Sequence, residues 1–185
     1  MKNIFFILFI LFALCSCSEY KKFTLYKQKP FDNTSDSICI NKIYTSNHNA
    51  EISKIYLQYN RIIFNSNGTS SSCFSDGSNK HIIGHYIIRH DTIYMQSFGF
   101  DVGGTYKKYL VEYFGKIIND STIMIYKHIC NFCHGQFSGY HDSPDIYFNP
   151  PIEYDVTSIA DKQDIVAGWF SKKKWYKKNV WYNNQ

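Results

Sequence analysis

Gly84-His-Tyr-Ile-Ile-Arg-His-Asp-Thr-Ile-Tyr-Met95 and Gly115-Lys-Ile-Ile-Asn-Asp-Ser-Thr-Ile-Met-Ile125 are two versions of one pattern. Each has a glycine, an isoleucine-bearing run, an aspartate-containing turn, and a Thr-Ile pair that opens the return run. Branched side chains pack well on a pleated surface, so each stretch reads as a β-hairpin. A further hairpin precedes them and turns at Asn67-Gly68, a pair that tolerates positive φ at both central positions. The segment from Arg61 to Lys127 is therefore a run of hairpins laid end to end. Within it Ile82, Gly84, Tyr86 and Ile88 share one strand face, while His81, Ile83, His85, Ile87 and Arg89 share the other. One apolar and one mixed face are what an antiparallel sheet with a single well-buried side requires. Gly84 and Gly115 are either the bends that close such a sheet into a barrel or ordinary strand-edge glycines.

Outward from this centre, the N-terminus is of a different kind. Lys2 is followed by an apolar run from Ile4 to Leu14, too short to cross a bilayer as a helix and flanked as a secretion signal is. Leu14-Cys15-Ser16-Cys17 resembles the bacterial lipobox, an aliphatic residue and two small ones before the cysteine that takes the lipid. That resemblance implies a signal peptide over residues 1–16, a lipidated Cys17, and an anchored chain that does not span the membrane. Position 18 is Ser, where Asp marks inner-membrane retention in the enterobacterial pattern, so the outer membrane is the implied location. Residues 18–37 are polar, carry Lys21, Lys22, Lys27 and Lys29, and read as a tether, with an edge strand at Phe23 to Tyr26 as the alternative.

Composition agrees with an exported β domain. Tyr (16), Phe (15) and many Ile residues favour strands, and a hydrophobic fraction of 44% is enough for a core. The formal net charge of +5 is too mild to suggest nucleic-acid binding. Beyond Cys17 there are Cys39, Cys73, Cys130 and Cys133, an even set in a compartment where disulfides persist. Cys39 with Cys73 and Cys130 with Cys133 is the simplest pairing, although sequence does not determine connectivity.

The flanking strands are expected at residues 38–45, at 54–59 running on into Arg61 to Phe64, at 106–114, and at 146–148 and 152–156, with Cys130 to Pro151 mostly loop. Ser158-Ile-Ala-Asp161 resembles a capping box, and Ile165, Val166, Trp169 and Phe170 follow at helical spacing, which predicts a helix over about 158–172. In the tail, Lys172, Lys173, Lys174, Lys177 and Lys178 alternate with Trp175, Tyr176, Trp181 and Tyr182. Its aromatics are expected to cap the core while the lysines face water; the alternative lays the tail against anionic headgroups.

The sharpest chemical motif is Cys130-Asn-Phe-Cys133-His134, the pattern of covalent haem attachment through two thiols and an axial imidazole. Its strand-and-loop flanks and the lack of a downstream Met argue against a cytochrome, leaving a disulfide or two thiols as the simpler reading. His128, Cys130, Cys133, His134 and His141 are the donor types of a zinc site, but a second half with metal-ligand spacing is missing. Ser138, His141 and Asp142 lie too close along the chain for a hydrolase triad, and no phosphate loop or paired-carboxylate signature is present. No catalytic residue and no resident metal follow from the sequence.

Phe64-Asn-Ser-Asn-Gly68 together with the Gly84 and Gly115 units resembles the small lipocalin-like lipoproteins of diderm bacteria, over about residues 55 to 127. That resemblance implies an antiparallel barrel of about eight strands, and no functional residues carry over from it. The expectation is thus an all-β lipocalin-like domain over residues 38–185 behind a tether at 17–37. It would be a non-catalytic binder of a small apolar or aromatic molecule or of an envelope protein. The haem carrier is the first alternative and an enzyme of unrecognised type the second.

Overall fold

The computed structural model describes residues 23–31, 38–47, 59–74, 81–100, 108–130, 145–160 and 169–178. Cys17 and the whole signal segment lie outside them. The strands are β1 (Lys42–Ser46), β2 (Tyr59–Phe64), β3 (Thr69–Phe74), β4 (His81–Arg89), β5 (Thr92–Phe100), β6 (Lys108–Asn119), β7 (Thr122–Cys130) and β8 (Asp145–Ile159). Each pairs antiparallel with the next, and β8 returns to β1, so the sheet closes as an eight-stranded barrel. Two short helical pieces follow, a 3-10 turn at Trp169–Lys172 and the helix α1 (Lys174–Lys177).

The hairpins at the centre of the sequence are β2–β3, β4–β5 and β6–β7. Their first turn differs in type from the expectation. Only Gly68 takes positive φ, at 79°, and its N–H donates to the Asn65 carbonyl at 3.0 Å. This is a longer loop whose glycine relieves the twist at its end, and Asn67 uses its side chain instead, accepting from the Thr69 N–H at 3.0 Å. The expected glycine bends are close-approach positions. A Cβ on Gly84 would press into the Gln96 carbonyl oxygen, and one on Gly115 would stand 2.6 Å from Ile125 Cδ1, beside a register shift in β6–β7.

Two hydrophobic cores result. The inner one fills the barrel with Tyr44, Ile62, Phe64, Ile82, Tyr86, Ile88, Ile93, Met95, Val111, Ile123, Ile125, Ile152 and Tyr154. The outer one lies on the other face of β4–β6, where Ile83, Phe98 and Leu110 are covered by Phe23, Tyr26, Phe170 and Tyr176. The chain ends thus cover the mixed face of β4, which explains why His85 and Ile87 are buried there.

Four expectations are corrected. The tether is shorter, because residues 23–31 pack on the barrel: Phe23 is fully buried, and the Ile88 N–H donates to the Pro30 carbonyl at 2.6 Å. The helix over 158–172 does not begin at Ser158, which is paired with Ile43 in β8, because closing the barrel against β1 extends that strand to Ile159. Cys39 and Cys73 are not joined by a disulfide. Cys73 is level with Arg61, and Arg61 with Thr45, while Cys39 precedes β1 altogether. The strand rise from Lys42 to Thr45 alone separates them by roughly 10 Å, beyond the reach of a disulfide. The 146–148 and 152–156 strands are one, β8, with a register shift opposite Ile125 and Lys127.

Candidate functional site

The barrel has two unlike ends. At one, the tight turns after β2, β4 and β6 meet the start of β1, and this end is sealed. Tyr44 sends its hydroxyl to the Asp120 carbonyl at 3.0 Å and accepts the Cys39 N–H at 2.8 Å. Tyr86 donates to the Asn65 carbonyl at 2.8 Å. Ile38 is buried in the inner core, and Phe31 sets its ring edge-on against Tyr86 at 6.0 Å. Burial raises the pKa of both tyrosines, so each stays a neutral hydroxyl with a defined acceptor. One amide oxygen, Asn65 Oδ1, is left without a partner here, although the same side chain donates to Thr69 Oγ1 at 2.9 Å.

Toward the other end the interior turns polar. His128 on β7 is opposite Tyr113 on β6, and the two rings stack at 4.7 Å with an interplanar angle of 6°. The imidazole is 5% exposed, and neither ring nitrogen has a hydrogen-bond partner. Asn60 Oδ1, where the β2–β3 register shifts, is likewise buried and unpartnered. Burial lowers the His128 pKa to about 4, so the ring is neutral at physiological pH, with one N–H to donate and one lone pair to accept. Ser70 is level with Gly84, and Gly84 with Ser97, a row of small residues across β3–β5. A buried imidazole with two unmet hydrogen bonds costs free energy unless something supplies them.

His85, on the outer face, has the opposite history. Its Nε2 is hydrogen-bonded to the Tyr176 hydroxyl, and aromatic rings of Phe23, Tyr26 and Phe170 surround it. Burial lowers its pKa to about 3, opposed by the Gly68 backbone. It is a satisfied core histidine joining the C-terminal segment to the barrel.

The sequence-derived candidates separate. Cys130 ends β7 opposite Val111. Cys133, His134, Ser138, His141 and Asp142 lie outside the described residues, so the haem and zinc constellations are not assembled among those that are. No group of three metal-type donors occurs among the described residues. His128 entered the sequence reading only as a zinc donor; its position inside the barrel depends on a register shift between Ile125 and Lys127. Compared with protein-family models, with curated proteins and with solved structures, the chain has no match in any of the three.

Proposed function

We propose that this protein is a lipid-anchored, non-catalytic binding module of the bacterial envelope, which holds one small, mostly apolar molecule inside its barrel at His128. The observation that carries the reading is the buried imidazole with no partner at either nitrogen, whereas His85, also buried among the described residues, is bonded. The neutral ring asks for a ligand with a donor and an acceptor close together, such as a hydroxyl or an amide, on an apolar body that contacts Tyr113 and the isoleucines of the inner core. An anionic head group is disfavoured, because burial keeps the imidazole uncharged. The lipobox resemblance at Cys17 supports attachment to the outer membrane, and no helix among the described residues is long and apolar enough to span one.

The test is native mass spectrometry of the protein isolated from its own envelope. The expected result is a non-covalent mass of a few hundred daltons on the wild type, absent from His128→Phe. Equal retention by both proteins would refute the His128 site. A haem increment in the denatured mass, with a Soret band, would replace this reading by the cytochrome one.

A further inference from the structure

All of the chain's tryptophans fall at positions 169, 175 and 181, within its lysine-rich end. Trp175 and Tyr176 pack inward: the Trp175 ring stands 5.6 Å from Tyr26 and 6.5 Å from Phe23, and Tyr176 stacks on Tyr26 at 5.2 Å. With the aromatics turned to the barrel, the lysines line its outside. Lys172, Lys173, Lys174, Lys177 and Lys178 are all exposed, as are Lys27 and Lys29 on the neighbouring N-terminal segment. The described carboxylate on this face is Glu112, whose Oε1 accepts from Gln96 Nε2 at 2.7 Å; Gln96 Oε1 in turn receives the N–H groups of Thr24 and Leu25 at 2.8 and 3.0 Å. Asp91 and Asp120 lie in turns at the sealed end, and Glu153 and Asp155 on β8.

The position of this basic face decides its partner. Phe23 lies against Phe98, near the C-terminal end of β5 and so at the end of the barrel away from the sealed turns. Between Cys17 and Phe23 run only Ser18-Glu-Tyr-Lys-Lys22, which span at most about 20 Å and add two more lysines. A chain anchored at Cys17 therefore holds Phe23 within that distance of the lipid, close enough for the lysines to settle within the roughly 8 Å over which charges are felt at physiological ionic strength.

We infer that the flank built from residues 23–29 and 169–178 docks on anionic phospholipid headgroups, so that the barrel lies side-on to its membrane. This rests on the lipid-anchor reading above. Seven exposed lysines beside the anchor act as the second signal that makes a lipid attachment firm and oriented. Because the Trp175 and Tyr176 rings are committed to the barrel, the contact they leave to the lysines is electrostatic.

The experiment uses the full chain purified from its own membranes and reconstituted into two kinds of vesicle, phosphatidylglycerol mixed with phosphatidylcholine, and phosphatidylcholine alone. A membrane-impermeant acetylating reagent then reports each lysine by peptide mass spectrometry. Lys172, Lys174 and Lys178 should label at least about threefold more slowly on the anionic vesicles, with high salt abolishing the difference, while Lys42 and Lys116 label equally on both. Equal labelling of Lys172, Lys174 and Lys178 on both vesicles, with the lipid present in the intact mass, overturns the proposal. If the intact mass shows no lipid, the anchor reading fails separately, and flotation of the same chain with phosphatidylglycerol vesicles decides. Binding that is lost in the Lys172→Glu/Lys174→Glu/Lys178→Glu variant supports the face, and no binding overturns it.

Discussion

The two ends of the barrel interior differ in how their polar groups are met. At the sealed end, Tyr44 and Tyr86 are buried phenols whose hydroxyls each reach a turn carbonyl on a different strand pair. Toward the other end, His128 is 5% exposed with neither ring nitrogen partnered, and the buried Oδ1 of the half-buried Asn60 is unpartnered too. The sealed end also holds one unpartnered atom, Asn65 Oδ1, but that side chain is bonded through Nδ2, whereas the His128 ring has no partner at either nitrogen. Neither polarity nor a single unmet atom distinguishes the two ends; a buried polar ring with no partner at all does, and His128 is that ring.

The strongest way to break the contrast is to damage the sealed end. Phe64 is fully buried between Tyr44 (5.5 Å) and Tyr86 (4.9 Å), so Phe64→Ala should cost about 3–5 kcal/mol in denaturant unfolding. A loss below about 1 kcal/mol would mean that this end is not the packed scaffold described. Gly84→Ala comes next. Its new methyl would press on a backbone oxygen of β5, which cannot swing aside, so a loss of roughly 2–3 kcal/mol is expected, with the secondary structure seen by circular dichroism retained at low temperature.

Acid sharpens the comparison between the two buried histidines. His128 and His85 have folded-state pKa values lowered to about 4 and about 3 from 6.5, so between those values the unfolded chain binds more protons than the folded one. Their contribution is therefore complete above about pH 6.5 and is lost as pH falls toward the folded values, amounting between pH 7 and 5 to as much as about 2 kcal/mol per histidine. Thermal melts should fall over that window. His128→Phe should flatten the fall, and an unchanged pH slope in that variant would show that His128 is not a buried neutral base. Tyr86→Phe, which deprives the Asn65 carbonyl of a donor, should cost about 1 kcal/mol, checked by the same unfolding curves.

Much of the scaffold is legible from residue order, because hairpin chemistry is local. The alternation at Ile82, Gly84, Tyr86 and Ile88 marks the inner face of β4 correctly, and the Asp91 and Asp120 turns fall where the two repeated units place them. What lies on the mixed face is not legible. Ile83 and His85 look half-exposed until residues 23–26 and 170–176 come from the two ends of the chain to cover them, contacts that no short-range pattern encodes. The C-terminal helix is misplaced for a related reason: the Ser158 cap signal is genuine local chemistry, but pairing with β1 outweighs it.

The candidate site is hidden by a single register shift. Continued alternation from Ile123 and Ile125 would send Lys127 inward and His128 out, whereas the irregularity between Ile125 and Lys127 reverses this. Lys127 consequently lies outside, over the Phe114 ring at 5.6 Å and the exposed Tyr147 ring at 4.9 Å, and His128 is buried. A shift of this kind has no sequence signature here beyond Pro150-Pro151 on the paired strand.

The central claim is that His128 is unmet by the fold and kept for a ligand, and ligand-stripped protein tests it most directly through the unfolding free energy of His128→Phe at neutral pH. Replacing an unsatisfied imidazole with an apolar ring should raise stability by about 1 kcal/mol, opposite in sign to Tyr86→Phe. A loss of stability of similar size would contradict the account, because it would mean that the imidazole is already bonded within the barrel.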